Sequence, residues 1–456
     1  MIREFLAQQV GFPLQDRIMQ TNISGTLKFL RESQYWDRSR LEEYRLTKLK
    51  ELIESAFDHI PYYSRLFRSI GLNPGDIKTL DDIKRIPVLT KKIMREEGDN
   101  LLVPCSDMKY VKTGKTGGTT GVPVKVYKDV RSRSFTWASY YRWYEWMGLE
   151  VGDRTCTLWG ARSVLSMSRA KKLRDTFRNF LQNKKDINSF NMNDIDLERI
   201  YKKIKRFKPK ILKGYTSALL LLADYIEKNS LSNINPMAIS TTSEMLLPHD
   251  RVFLEKVFNA PVFDQYGCGE VSAISYECSK HCGLHINQEH VLCEILDEND
   301  RVVYNKPGRV IVTDLDNYIM PVIRFDTGDT ASIFTRECTC GVTFPLMSSI
   351  SGRSADTIIL KNGSKVHGVF FTDILFELGI MTDKFSRFQV HQITPGKINF
   401  ILENNQAIDN KIIIALKNAL SRFFDDVNIM VIDHIPNGEN GKFRYILNES
   451  TSGLKR

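Results

Sequence analysis

The stretch from Thr113 to Lys125 constrains the fold of this chain more than any other. Its thirteen residues hold four glycines, four threonines and two lysines. Glycine lets a backbone turn its N–H groups onto an anion at close range, threonine hydroxyls add donors, and lysine adds a mobile positive charge. This is the chemistry of a loop that holds a polyphosphate; a flexible surface linker is the plain alternative. A Walker A loop is excluded, because that pattern needs glycine five positions before Gly114, where this chain has Lys109. A Walker loop also opens into a helix. Here Val124-Lys125-Val126-Tyr127-Lys128 alternates as a strand does, and Met108 to Lys112 reads as a strand ahead of the loop. The fold must therefore carry a flap-like loop between two extended segments.

At 456 residues the chain is long enough for two or more domains, and 42% hydrophobic with 26% charged residues is ordinary for a soluble globular protein. The formal charge of +10 is spread without a long Lys/Arg tract or an RNA-type aromatic signature. No nucleic-acid partner is expected, and an anionic substrate such as a nucleotide or a phosphopantetheine carrier explains the charge more simply. The run Arg169 to Arg174 is the candidate basic contact, beside the plainer reading of a solvated helix face. No signal-peptide core follows Met1 and no apolar run is long enough to span a bilayer, so a cytoplasmic chain without a transmembrane segment is expected. Four of the eight cysteines, Cys278, Cys282, Cys338 and Cys340, form two tight pairs. In a reducing compartment such pairs suit a metal better than disulfides.

Along the chain the pattern predicts an α/β protein, with a large N-terminal α/β domain of packed sheets and a small, mobile C-terminal α+β domain. Residues 1–105 read as the helical N-terminal part of the large domain, with apolar positions at helical spacing from Leu41 to Glu54. Residues 106–351 alternate strands (Lys210–Gly214, Ala260–Asp264, Gly308–Thr313) with helices (Ile195–Phe207, Ser217–Asn229). Residues 352–456 bring short strands near 357–360, 388–391, 398–401 and 428–432, with helices at 370–378 and 410–424.

Several constellations carry candidate chemistry. Tyr266-Gly267-Cys268-Gly269-Glu270 follows a short apolar run, so it falls at a strand end, where α/β folds bind ligands. The aromatic can stack on a base and Glu270 can hold Mg²⁺; a turn with an incidental carboxylate is the alternative. The cluster Pro321 to Asp329 places Asp329 beside a glycine turn, where a carboxylate can accept ribose hydroxyls, and its Arg324 can meet phosphate or hold the turn. Gly441-Lys442, near the C-terminus, reads by itself as a solvated lysine on a polar loop. Cys278, Cys282, His285, Cys338 and Cys340 are five soft ligands for the four places of a structural Zn²⁺, against the alternative of buried free thiols. Trp137, Tyr140, Tyr141 and Trp159 can line a substrate pocket or fill the core.

Together and in this order, these segments resemble the adenylate-forming superfamily of acyl- and aryl-CoA ligases, most closely its phenylacetate-CoA ligase branch and the capsular-polysaccharide-biosynthesis (CapK-like) proteins within it. The resemblance runs from about residue 50 to the C-terminus. Thr116, Gly117, Gly118, Thr119, Thr120 and Gly121 match the phosphate loop. Ser243-Glu244 and Tyr266-Gly267-x-x-Glu270 match the adenine and magnesium segments, and Ile323 to Asp329 matches the ribose motif. Gly352-Arg353 matches the domain junction and Gly441-Lys442 the loop of the catalytic lysine. The resemblance implies ATP, Mg²⁺ on Glu270, and a structural Zn²⁺ on Cys278, His285, Cys338 and Cys340 with Cys282 as substitute. It makes Lys442, Glu270 and Arg324 the catalytic residues and Asp329 the ribose ligand.

Two positions depart from the pattern. The acidic hinge residue expected two places after Arg353 is Ala355, with Asp356 next, and Lys115 stands where the phosphate loop has a small residue. The implied reaction joins a small carboxylic acid to AMP and passes it to coenzyme A, a carrier thiol or an amino sugar, in the last case serving surface polysaccharide. A homodimer is compatible with the resemblance. The competing class is a nucleotide-binding relative that kept the fold without catalysis, which would need neither Glu270 nor Lys442.

Overall fold

Helices dominate the first hundred residues for local reasons. Asn22 accepts a hydrogen bond from Gly25 N and opens α1 (Ile23–Ser33), and Asp37 does the same through Arg40 N for α2 (Arg38–His59). Pro61 then fixes the start of the next helix, Pro61–Ser69. The computed structural model describes residues 4, 7–104, 108, 111–115, 124–159, 169–189, 194–350, 352–353, 358–363, 365–366, 368–380, 385, 387–404, 408–436 and 443–449. Strands β1 (Lys112–Lys115) and β2 (Lys125–Lys128) pair antiparallel, with Lys112 opposite Lys128 and Lys115 opposite Lys125. The strand ahead of the Gly/Thr loop thus lies later than Met108–Lys112, because its register is set by its partner.

Asp129 opens α3 (Val130–Trp146) by accepting from Ser132 N at 2.8 Å. A run of strand–helix units follows: β3 (Thr155–Trp159), α4 (Arg169–Leu181), β4 (Lys184–Asn188), α5 (Asp194–Phe207), β5 (Ile211–Tyr215), α6 (Thr216–Lys228), β6 (Ala238–Thr242), α7 (Pro248–Phe258) and β7 (Val262–Phe263). The strands form one parallel sheet in the order β4-β3-β5-β6-β7. A parallel sheet hides both faces, and side chains alternate between them along each strand. Leu158, Leu212, Ile239 and Val262 meet α5, α6 and α7, while Ile211, Ala238 and Phe263 meet Tyr141, Trp143 and Tyr144 of α3.

The chain then turns antiparallel. Strands β8 (Gln265–Tyr266), β9 (Ser275–Glu277) and β10 (Leu284–Ile286) begin a second sheet, and β11 (Val291–Leu296), β12 (Gly308–Asp314) and β13 (Phe325–Ala331) a third. Strands β14 (Ile333–Phe334) and β15 (Leu346–Met347) return to β10, and β16 (Gly352–Arg353) adds to β13. The third sheet packs on the N-terminal helices through Leu52, Phe67, Val310, Val312 and Phe325. The segment Phe325–Asp329 is a strand rather than a polar turn. Gly328 at φ 76° lies where the β12–β13 register slips, so the glycine serves a bulge inside the ladder.

The C-terminal part has its own core. After the short pair β17 (Ile358–Ile359) and β18 (Lys365–Val366), α8 (Gly368–Glu377) and α9 (Asn410–Leu420) accompany a sheet ordered β21-β20-β19-β22. Its strands are β19 (Arg387–Thr394), β20 (Lys397–Glu403), β21 (Asp426–Ile432) and β22 (Ile446–Asn448). Phe371, Phe388, Phe400 and Phe424 fill it, and Leu247, just ahead of α7, is buried in the same cluster. Among the described residues no helix is long and apolar enough to cross a membrane.

Buried charge ties the layers of the large part. The Arg142 guanidinium on α3 donates to Glu289 Oε1 at 2.6 Å and to Asn287 Oδ1 at 2.6 Å, and Ser33 of α1 donates to the same Glu289 oxygen at 2.7 Å. Removing one partner leaves an uncompensated charge in a dry interior. Glu289→Gln is expected to lower unfolding stability by about 3 kcal/mol or more, read from urea denaturation. Breaking the exposed Lys202–Glu198 pair on α5 should leave the urea midpoint unchanged.

Candidate active site

The candidate residues gather where the parallel sheet ends. Past the C-terminal end of β6, Ser243 is exposed and holds φ 68°, a left-handed conformation that a non-glycine residue adopts at a cost. That turn aims the next side chain back over the sheet. Glu244 Oε2 accepts from Ser217 N at 2.7 Å and Oε1 from Ser217 Oγ at 3.0 Å, so the carboxylate sits on the first turn of α6. Glu244 Oε1 also accepts from Phe443 N at 3.0 Å, and Tyr445 Oη donates to Asp250 Oδ2 at 2.9 Å. The C-terminal part is thus held against the strand-end loop at the residue that follows Lys442. Lys442 itself lies outside the described residues, as do Gly441, Thr116, Gly117, Gly118, Thr119, Thr120 and Gly121 of the phosphate loop, and Ala355 and Asp356 of the expected hinge.

Asp329 and Tyr266, far apart in sequence, meet. Tyr266 Oη donates to Asp329 Oδ2 at 2.8 Å, both residues being largely buried. Burial first, then the Asp329 charge, push the Tyr266 phenol well up, so it stays a donor at neutral pH. Asp329 N donates to Thr327 Oγ1 at 3.1 Å, which fixes the strand at the bulge. Across the ladder Asp329 stands opposite Arg353, so the junction residue runs alongside the ribose candidate. Gly267 adjoins this pair, and a Cβ there would come within 3.1 Å of Ala273 N. A side chain there would have to push the Ala273 backbone back by a few tenths of an ångström, so glycine suits the close fold of the loop.

That loop carries Glu270, which is 1% exposed. Its Oε1 has no hydrogen-bond partner among the described residues, and Lys91 Nζ stands 3.5 Å from it. Lys91 offsets part of the charge of this buried carboxylate at a loose 3.5 Å, and a carboxylate oxygen of this kind is the ligand type a hard divalent ion such as Mg²⁺ takes. Two lysines absent from the motif reading converge here. Lys91, from the helix Lys91–Glu97, reaches Glu270, and Lys128, closing β2, donates to Ser272 Oγ at 2.5 Å. Burial pushes the Lys128 amine down. They join the site from positions 179 and 142 residues before Glu270, with no local signal to announce them.

Arg324, expected among the catalytic residues, is engaged within the protein. Its guanidinium meets Glu294 at 3.0 Å through both Nε and Nη2, and Nη1 donates to the carbonyls of Lys84 at 3.1 Å and Ile86 at 2.6 Å. The residue is 5% exposed at φ 49°, and four of its five N–H donors are engaged within the protein. It holds the entry to β13 against the segment from Lys84 to Ile86.

A separate cluster lies at the far end of the second sheet. Ligand atoms of Cys278, His285, Cys338 and Cys340 all lie within 4.8 Å of one another. Cys278 Sγ is 3.6 Å from Cys338 Sγ, and Cys340 Sγ is 3.3 Å from His285 Nε2. A tetrahedron with metal–sulfur bonds of about 2.3 Å has sulfur edges of about 3.8 Å, so these separations suit zinc. His285 Nδ1 faces the Phe344 carbonyl at 3.1 Å, which orients Nε2 toward the sulfurs. Cys282 Sγ stands 3.3 Å from Cys338 Sγ, outside the group of four. A second cluster, His290, Asp314 and Asp316, already holds a cation, since Lys48 Nζ lies 2.6 Å from Asp316 Oδ1.

The fold has two α/β parts, the C-terminal one docked on the strand ends of the parallel sheet, and it buries both a Tyr266–Asp329 pair and the Glu270 carboxylate. In sequence the chain is 26% identical to Protein CapK of Staphylococcus aureus over 434 residues, covering 92% of this chain and 91% of that one. It is 25% identical to phenylacetate-coenzyme A ligase of Thermus thermophilus over 340 residues, 71% of this chain and 73% of that one. Its fold superposes on a 2-hydroxyisobutyryl-CoA ligase in the postadenylation state with TM-score 0.75 and 19% identity, covering 92% and 94% of the two chains. On the same ligase in its thioesterification state the TM-score is 0.62. No family model matches the chain. The chain is thus similar in sequence to CapK and to phenylacetate-coenzyme A ligases, and in fold to a 2-hydroxyisobutyryl-CoA ligase.

The placement of Arg324 has a measurable consequence. Arg324→Gln is expected to cost about 3 kcal/mol of unfolding stability by urea denaturation, because Glu294 would be left without its partner. An arginine kept only for contact with substrate would leave stability unchanged.

Proposed function

We propose that this protein activates a carboxylic acid with ATP and transfers the acyl group to coenzyme A. A carboxylate oxygen of the acid attacks the α-phosphorus of ATP, the bond to the bridging oxygen breaks, and pyrophosphate leaves an acyl-adenylate behind. A thiol then attacks the acyl carbon and AMP leaves. Both reactants of the first step are anions, so the catalytic need is alignment and neutralisation of charge. The observation that carries this reading is the buried Glu270, whose Oε1 makes no hydrogen bond among the described residues and pairs loosely with Lys91, four residues on from Tyr266 and its Asp329 partner.

Each group has a proposed part. Asp329 accepts the ribose hydroxyls, with Arg353 beside it, and Ser243, Glu244, Tyr266 and Gly267 bound the adenine side. Thr116 to Gly121 hold the β- and γ-phosphates. Glu270 holds Mg²⁺, which when bound offsets charge on the phosphates, and Lys91 and Lys128 add positive charge at that end. Lys442 bridges the substrate carboxylate and α-phosphate, carried by residues 352–456 acting as a lid that rotates for the second step. Similarity to phenylacetate-CoA ligases favours coenzyme A as acceptor. Transfer to a sugar amine in surface-polysaccharide assembly rests on the similarity to CapK. We assign the four-ligand cluster to a structural Zn²⁺ that pins the loops of the second sheet, four protein ligands leaving no open position for catalysis.

ATP–pyrophosphate exchange across a panel of acids tests the reading. Exchange with one acid in the wild type, abolished in Lys442→Ala while ATP binding by calorimetry persists, is the expected result. Equal loss of binding and exchange would remove Lys442 from the chemistry, and silence with every acid would favour a nucleotide-binding relative. The purified chain is further expected to hold about one zinc per molecule by elemental analysis. Cys338→Ser should release it and lower Tm, whereas Cys282→Ser should retain it.

A further inference from the structure

The face of the parallel sheet that packs under α3 is not uniformly apolar. Ile211 begins β5 on that face, and two residues on, Lys213 points the same way. Its Nζ lies 4.1 Å from the Tyr140 ring centroid. Among the described residues Lys213 has no hydrogen-bond or ion-pair partner beyond that ring. A second lysine enters from β4. Lys184 Nζ donates to Tyr141 Oη at 3.1 Å and lies 5.0 Å from the Trp137 ring centroid. Burial first, then the Lys184 charge, hold the Lys213 amine down at about 7. Two ammonium groups facing one aromatic helix, without a carboxylate between them, are costly to bury and are relieved when an anion enters.

Neighbouring polar atoms are also left without partners. Ser240, beside Lys213 in the β5–β6 register, is fully buried, and its Oγ has no hydrogen-bond partner. Gln265 donates through Nε2 to Thr242 Oγ1 at 2.6 Å, but its buried Oε1 is unpartnered. Tyr276, paired with Gln265 in the ladder and packed on Tyr140 at 5.6 Å, has an unpartnered buried hydroxyl. Native interiors leave few such atoms, and several around one unpaired lysine mark a place that a polar ligand completes. The place lies inward of the proposed catalytic centre. Tyr215 ends β5 at the rim, against Trp159 at 4.5 Å, and Lys213 stands two residues below, a depth of about 7 Å.

We infer that the acid activated here is a short dicarboxylic acid, one carboxylate reacting at the strand ends and the other seated against Lys213 on the floor of the pocket. This rests on the adenylation reading above. Lys213 is a specificity-determining residue in this scheme and takes no part in bond making. Tyr140 and Trp137 flank the carbon chain, and Ser240 and Tyr276 donate to the deep carboxylate.

The test compares succinate, glutarate and adipate with butyrate, valerate, hexanoate and phenylacetate, in wild type and in Lys213→Met, which keeps the side-chain length without the charge. Two readouts are taken: ATP–pyrophosphate exchange, and the thermal shift on adding each acid with ATP present. In the wild type the best diacid should exceed its length-matched monoacid by about a hundredfold in kcat/KM, since a site built around a polar group rejects the analogue that lacks it. Lys213→Met should lose the diacid thermal shift, retain the ATP-induced shift that reports a folded protein, and reverse the preference toward monoacids. A wild type that prefers monoacids, or a preference unchanged in Lys213→Met, overturns the inference. A Lys213-dependent diacid shift without exchange keeps the pocket and removes adenylation. Exchange with a monoacid and no diacid shift removes the pocket and keeps adenylation.

Discussion

One carboxylate links the two parts of this molecule at the site. Glu244 sits on the first turn of α6 through Ser217 and accepts the backbone N–H of Phe443, so a large-domain turn and the C-terminal loop share a single acceptor group. The strained turn at Ser243 aims it there. The strand-end turn of the large part and the docked C-terminal segment thereby meet at one corner of the sheet. A carboxylate can accept several N–H and O–H donors at once, which a neutral amide oxygen cannot match in strength.

Around that corner, charge is divided by depth. Where positive charge meets a fixed partner, as in Arg142 with Glu289, Lys48 with Asp316 and Arg324 with Glu294, it holds layers together. Where it lacks one among the described residues, as in Lys213, it rests on an aromatic ring, and Lys91 meets the buried Glu270 only at a loose 3.5 Å. The chain's positive charge thus separates into a tightly paired and a loosely paired share. Cation–π contact with Tyr140 makes the unpaired state of Lys213 tolerable without satisfying it.

Much of this was legible along the chain where the signal is local. Helices α5 and α6 and strands β5, β12, β20 and β21 follow from periodicity, since their apolar residues recur at the spacing their burial requires. Tyr266, Glu270 and Asp329 stand out along the chain because glycines lie beside them. The partners of Arg324, which are Lys84, Ile86 and Glu294, could not be read along the chain because distant segments supply them. Lys91, Lys128 and Lys213 escaped notice for a related reason: a lysine in sequence reads as surface, and only the fold shows which ones point inward. The segment after Arg324 read as a turn because Gly328 is ordinarily a turn residue, whereas here it serves a bulge within β13.

Leu247 belongs by sequence to the large part yet is 2% exposed inside the C-terminal core. Any swing that separates the two parts must withdraw that side chain into water, at about 2 kcal/mol for a leucine. Such a difference biases the closed arrangement by about thirtyfold before any ligand acts. The docked position is therefore a latched resting state, and the leucine is the catch that sets how often the lid lets go.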